Sequence, residues 1–358
     1  MGLFLCMEKY KIEFDAFLPE LLFENNFSIV FSTYQAGRVM VIGSLDGEKL
    51  HQIPIAFKKP MGIAIEGSKM AIAGLEEILF FSNNEQLVDT VKLNAKNFDT
   101  MFVQRAAYNT SSLDVHDIQF GNGQLWGVNT LFSTICTFDI NYSFRPKWKP
   151  PFITALVPED RCHLNGMTLV DGLPKYVTAL SSTNHKEGWR EDIMNSGCLM
   201  EVPSGEVILD QLSMPHSPRM INDELYVLES GKGLLLKVNP TEKTYEVVEN
   251  FGRFVRGMSH TNGILIIGMS KIRETSKAFN GLDVKENSRN AGVLFYDLKR
   301  RQMLGEIRYL ADVEEIYDVQ AIEGFKTPAI LNSLTEEYKE IIVFPNNVFW
   351  RKGKKKSE

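Results

Sequence analysis

One unit recurs six times along this 358-residue chain: an apolar strand, a polar turn and a second apolar strand. Five copies are complete: MGIAIEGSKMAIAG from Met61, HDIQFGNGQLWGVNT from His116, NGMTLVDGLPKYVTAL from Asn165, HSPRMINDELYVLES from His216 and RGMSHTNGILIIGMS from Arg256. The sixth, YDVQAIEG from Tyr317, has a first strand and no partner. Each turn is rich in Gly, Asn or Asp, which tolerate the positive φ that a two-residue hairpin demands. The strand after it is a nearly unbroken apolar run, as expected of a strand buried on both faces. Third strands follow, such as CTFDI after Ile135, LLLKV after Gly233 and LFYDL after Val293, and each leads by a turn into a more polar fourth. Four strands recurring every ~40–50 residues is the period of a β-propeller blade.

The partner missing at Tyr317 stands at the other end of the chain. FSIVFSTYQAGRVMVIG, residues 27–43, aligns with ELYVLESGKGLLLKV and so supplies second and third strands without a first. The sequence therefore predicts an all-β, six-bladed β-propeller closed by a blade built from both termini, which leaves no free sheet edge in the ring. The propeller should span 27–333, after an N-terminal segment 1–26 with a short helix and before a C-terminal extension 334–358 with a basic tail. Seven blades would require one hidden in 113–197. A β-sandwich, or two smaller β domains, does not explain why one end lacks the strand that the other has in surplus.

The formal charge of −6 argues against nucleic acid or a membrane as the main partner. The basic run from Arg351 to Lys356 reads as a solvated tail. Four scattered cysteines (Cys6, Cys136, Cys162 and Cys198) form no CxxC pair and read as reduced thiols. The apolar patch in MGLFLCMEKY is too short for a signal-peptide core, and Cys6 breaks the MGxxx[ST] myristoylation pattern. A cytoplasmic protein is expected.

Propeller geometry then gathers side chains. First strands start, and second strands end, at the same mouth of the central channel. Alignment on the hairpins stacks Met61, His116, Asn165, His216, Arg256 and Tyr317 at the first-strand start, and Gly62, Asp117, Gly166, Ser217, Gly257 and Asp318 one position on. Second-strand ends add Tyr34 with Gln35, Glu76, Asn129, Ser181 with Ser182, Glu229 with Ser230, and Ser270 with Arg273. The opposite hairpins carry ordinary turn residues such as Asn222-Asp223. Polar side chains at crowded strand ends also satisfy unpaired backbone groups, so some of this richness is structural. Two His, two Arg, two Asp and two Glu converging on one mouth nevertheless predict a binding site.

Three chemistries suit that ring. His116, His163, His216 and Gln320 are metal-ligand types, but no HxH or HxxxH spacing supports a transition metal. Glu229, Asn129, Asn165 and Asp318 would suit a calcium-class ion. No cofactor is expected, and a weakly held divalent cation in the channel stays open. Alternatively, His116 with Asp117, or His216 with Glu229, forms a catalytic acid/base pair, while Arg219, Arg256 and Arg273 hold an anionic group. Tyr34, Gln35, Asn129, His163, Asn165, Asp318 and Gln320 complete the expected ligand-binding set. If the protein is an enzyme, this is lyase, hydrolase or epimerase chemistry. No GxSxG elbow supports a serine hydrolase, and Cys162 beside His163 reads as a buried, inert thiol. Thirdly, the mouth recognises a ligand or a protein without catalysis. The expectation is a small anionic or sugar-derived ligand, with a protein-interaction scaffold as the alternative.

The blocks FSTYQAGRV, KKPMGIAI, PKWKPPFITALVPEDRCHLNGM, GWRE, VPSGEV, MPHSPR, LYVLESG, FVRGM and SKIRET resemble one family. It is a family of conserved bacterial β-propeller-like proteins of unknown function, and the likeness runs from about residue 27 to 324. The resemblance implies the fold and assigns no activity. Its blocks coincide with mouth positions His163, Asn165, His216, Arg219, Glu229 and Arg256. The first-strand pattern is also loosely similar to six-bladed lactonase-type propellers, which hold a divalent cation in the channel; that likeness covers architecture only.

Overall fold

Four of the repeated turns, Asn122-Gly123, Asp171-Gly172, Asn222-Asp223 and Asn262-Gly263, close on two residues that both have φ between 50° and 81°. That backbone matches the twist of the strands it joins, and it builds the inner hairpin of four blades. The structure, a computed structural model, describes residues 9–90, 98–272, 279, 281–282 and 284–351.

Six antiparallel blades form the ring. Blade 1 runs outward from Val319–Glu323 through Phe27–Thr33 and Arg38–Gly43 to His51–Ala56. Blade 2 holds Ile63–Glu66, Lys69–Ala73, Glu77–Asn83 and Thr100–Asn109. Blade 3 holds Val115–Gly121, Gln124–Asn129, Thr134–Asp139 and Tyr142–Trp148. Blade 4 holds Leu164–Val170, Leu173–Ala179, Gly197–Glu201 and Val207–Leu212. Blade 5 holds Pro215–Ile221, Glu224–Glu229, Leu234–Asn239 and Thr244–Asn250. Blade 6 holds Val255–Thr261, Ile264–Met269, Gly292–Asp297 and Gln302–Tyr309. The innermost strands touch their neighbours all the way round, blade 6 meeting blade 1. Residues 113–197 hold blade 3, the inner two strands of blade 4 and long loops, and hide no seventh blade.

Closure follows the predicted route: Phe27 pairs with Glu323 and Phe31 with Val319. The core lies between blades, where Phe27, Ile29 and Phe31 pack on Ile266, Val293 and Phe295. On the other side, Val39 and Val41 meet Ile63, Ile72 and Phe81.

Both ends do more than the repeat implied. Ile12–Phe14 adds a fifth strand to the outer edge of blade 6, and the helix Leu18–Glu24 buries Leu18 and Leu22 beside it. Pro328–Leu331 runs parallel to Thr100–Asn109 as a fifth strand of blade 2. A 3-10 turn at Glu337–Glu340 then leads into a hairpin of Ile341–Phe344 and Asn347–Trp350. These short outer strands repeat nothing, so internal periodicity could not reveal them. No helix among the described residues is long and apolar enough to cross a membrane.

At the axis, the second ring position alternates between a polar residue and glycine: Asp318, Gly62, Asp117, Gly166, Ser217 and Gly257 for blades 1 to 6. Each polar side chain accepts a backbone N–H from the next blade: Asp318 from Ile63 (2.9 Å), Asp117 from Met167 (3.0 Å) and Ser217 from Gly257 (3.0 Å). The glycines let the strands come this close. A Cβ on Gly257, whose φ is 76°, would lie 2.9 Å from the Cα of Asp318. Buried polar groups here stitch the blades together.

Candidate ligand-binding site

Beside these stitches the innermost strands of blades 5 and 6 bulge. The pairing register shifts between His216 and Arg219 and between Val255 and Met258, with Ser217 and Gly257 left-handed at the shifts. Bulges of this kind re-aim the neighbouring side chain. His216 and Arg256, next to them, line a cavity of about 580 Å³ at the predicted mouth, together with Tyr34, Met61, His116, His163 and Tyr317. Its walls come from the long loops of blades 4 and 6, which contribute Asp160, Trp189, Phe254, Ile272 and Phe279. Beneath the floor the axis closes to about 10 Å³.

The floor is a contact chain. His116 stands edge-on to His163 (ring centroids 4.8 Å apart) and to Tyr317 (5.0 Å). The Arg256 guanidinium lies over the Tyr317 ring, 3.5 Å from its centroid. No carboxylate among the described residues pairs with Arg256. The Tyr317 hydroxyl is buried and has no hydrogen-bond partner among the described residues. Burial lifts that phenol well above its ordinary range, although the nearby Arg256 charge opposes the shift.

Nδ1 of His116 donates to the Asp114 carbonyl (2.9 Å), and Nδ1 of His216 donates to the Met214 carbonyl (2.8 Å). A carbonyl only accepts, so in the neutral rings Nε2 keeps its lone pair. Poor access to water holds both imidazoles well below their ordinary pKa; His163 and then Arg256 add to the effect at His116, and Arg256 and then His163 at His216. Nδ1 of His163 faces the Asp160 carboxylate at 2.9 Å, and that same carboxylate accepts the Trp189 indole N–H at 2.9 Å.

The structure brings Tyr34, His116, His163, His216 and Arg256 of the predicted set to this cavity. Tyr34 carries Lys59 over its ring at 5.0 Å, whereas Gln35 is exposed beside it and does not line the cavity. Both predicted acid/base pairings are corrected. Asp117 belongs to the axis: it takes the Met167 N–H and Arg219 Nη1 (3.0 Å), while His116 bonds to Asp114. Glu229 is buried, takes the Ser213 N–H (2.9 Å) and pairs with Lys232 (2.7 Å), while His216 bonds to Met214 and the Ser230 hydroxyl.

Four expected ligand residues are likewise structural, because each is tied to neighbouring strands and turns. Asn129 accepts the Phe132 N–H and is fully buried. Asn165 bonds to the Pro215 carbonyl and the Thr178 hydroxyl. Asp318 receives Ile63 and Val319 N–H groups. Arg219 donates to the Met258, Met167 and Pro218 carbonyls as well as to Asp117, and stands 3.8 Å from Asp318. Gln320 donates to Asp318 and lines a separate cavity of about 280 Å³ at the opposite end, with His260 and Glu323, so that end is less bland than its turns suggested. Arg273 lies outside the described residues.

Asp160 and Trp189 were missed. Both stand in distinctive blocks, EDRCH and GWRE, but on loops that the repeat does not register. Cys162 is buried as expected, and burial pushes its thiol up to about 12. Among the described residues no group of three or more His, Cys, Asp or Glu could hold a metal ion.

Among solved structures, the chain is similar to a chain in the crystal structure of a nidogen/laminin complex, with 11% identity and a TM-score of 0.51. It is also similar to a protein of unknown function from Bacteroides caccae, with 9% identity and a TM-score of 0.50. Each match covers 83% of this chain and 99% of the other, and at such identities the likeness shows fold alone. No curated protein matches. Residues 16–331 match the family described as "Domain of unknown function (DUF4915)", and the chain belongs to that family.

Proposed function

We propose that the mouth cavity binds a small, hydroxyl-bearing anion, of which a sugar acid is the type. The observation that carries this reading is Arg256: a guanidinium at the floor of a 580 Å³ cavity with an aromatic ring beneath it and no carboxylate partner among the described residues. An anionic group is its natural complement. Around it, Nε2 of His116, His163 and His216 has no hydrogen-bond partner among the described residues. In the neutral tautomers these atoms accept, which suits ligand hydroxyls. Trp189, Phe254 and Phe279 offer flat apolar walls for a ring. A recess of this depth suits a small molecule better than a protein surface.

His163 is also the one cavity-lining imidazole paired with a carboxylate, so it is the group placed to take a proton from a bound ligand. Calorimetric titration with uronic and aldonic acids and the matching neutral sugars tests the reading. Saturable binding of an acid, absent for its neutral analogue and lost in Arg256→Ala, is expected. The variant should melt within about 2 °C of the parent, because a solvated cavity residue contributes little stability. No binding by any acid, together with a large melting shift in Arg256→Ala, would make the residue a structural pin and end the proposal.

A further inference from the structure

Two residues beyond the Asp117 position, polar side chains of the inner strands join neighbouring blades a second time. Nε2 of Gln119 donates to the Met167 carbonyl (2.6 Å), joining blade 3 to blade 4. Oγ1 of Thr168 accepts the Met220 N–H (3.1 Å), and Nε of Arg219 donates to the Met258 carbonyl (3.0 Å), which joins blades 4, 5 and 6. Alignment on the hairpins puts Ser259 at the same position in blade 6 and Gln320 in blade 1. There the pattern stops. The Ser259 hydroxyl is buried and bonds to nothing among the described residues. Gln320 turns back on its own strand and donates to Asp318 at 3.4 Å. The seam left open between blades 6 and 1 holds the cavity of about 280 Å³ at the far end of the channel.

Apart from Arg219, every polar side chain lining this space can accept a hydrogen bond. Gln320 spends an amide N–H on Asp318 and keeps its carbonyl oxygen. Nε2 of His260 is buried, with no partner among the described residues. Burial holds that imidazole below its ordinary pKa, with Glu323 opposing, so the ring is uncharged at neutral pH. With the proton on Nδ1, its Nε2 accepts. No cation among the described residues pairs with the Glu323 carboxylate. Arg219 borders the cavity as well, but its charge is met by Asp117 and Asp318. Met220, Ile221 and Ala321 supply short apolar walls.

We infer that this cavity binds a small aliphatic cation through its N–H donors, an ammonium or a guanidinium. One negative charge among neutral acceptors is the complement of a cation that only donates. A metal ion fits less well, since no group of three or more His, Cys, Asp or Glu among the described residues could hold one. The volume suits a molecule of a few heavy atoms. The closed axis separates this cavity from the mouth, so the inference is independent of the function proposed there.

The test is calorimetric titration of the full chain at low salt with putrescine and with methylguanidine, beside butanol and tetramethylammonium. Saturable binding of the amine or the guanidine is expected, with none of the alcohol or of the cation that lacks N–H groups. E323Q should weaken it by about tenfold and S259A by about threefold. Without ligand, S259A should melt no lower than the parent, because it removes a buried hydroxyl that has no partner. Failure of both N–H cations to bind at concentrations up to about 10 mM overturns the inference and leaves the seam to water. Equal binding of butanol, or undiminished binding by both variants, overturns it too. So does stoichiometric uptake of calcium or zinc that shuts the amine out.

Discussion

Arg219 and Arg256 sit in adjacent blades and do opposite things. Arg219 spends its donors on three carbonyls and Asp117, with Asp318 at 3.8 Å, so one guanidinium joins the inner strands of several blades. Among the described residues, Arg256 has only the Tyr317 ring beneath it. The two should therefore respond differently to loss of charge. Arg219→Met leaves two carboxylates buried without their cation, and breaking a buried pair in this way costs about 3–5 kcal/mol. Scanning calorimetry should show a fall in melting temperature of at least ~5 °C, or failure to fold. Arg256→Ala serves as the control. If Arg219→Met melts like the parent, the axis does not depend on this cation.

At the scale of the strand, the ring depends on Val319–Glu323. Without it, Phe27–Thr33 would present a long, fully buried apolar strand as an open edge, and the inner faces of blades 6 and 2 would lose their neighbour. A chain ending at Ile316 should be insoluble or lack a cooperative melt, as judged by size-exclusion chromatography and calorimetry. Soluble, cooperative unfolding of that truncation would mean that blade 1 stands without its inner strand.

For the whole molecule, buried ionisable groups set opposing pH dependences. His116 and His216 bind protons less readily when folded than in the unfolded chain, where imidazole titrates near 6.5. Their contribution to stability is complete above that value and is lost as pH falls through the depressed folded pKa. Asp318 runs the other way. Burial raises its carboxyl from 3.8 to about 6, against the opposing Arg219 and with help from Asp117. Its contribution is complete below 3.8 and is lost as pH rises through about 6. Two strongly depressed imidazoles should outweigh one raised carboxyl. The melting temperature should drop between about pH 7 and pH 5, and by less in H116Q/H216Q. Calorimetry across that range decides; an identical slope in the double variant would remove the histidines as the cause.

The repeat in the sequence determined the architecture: six blades, the closing pairing of Phe27–Thr33 with Val319–Glu323, and the mouth to which His116, His216 and Arg256 belong. It could do so because strand patterning and turn dipeptides are local and recur with every blade. The ring positions of Asp117, Asn165 and Asp318 were legible in the same way, but whether they face a ligand or the next blade was not. That depends on how close the neighbouring backbone comes, a distance set by Gly62, Gly166 and Gly257 in other blades and by the bulges beside them. Asp160 and Trp189 reach the cavity on loops without periodicity, and the outer strands Ile12–Phe14 and Pro328–Leu331 pair across long sequence separations. Only the packed tertiary structure brings such residues together, because nothing in the local chain encodes what lies opposite them.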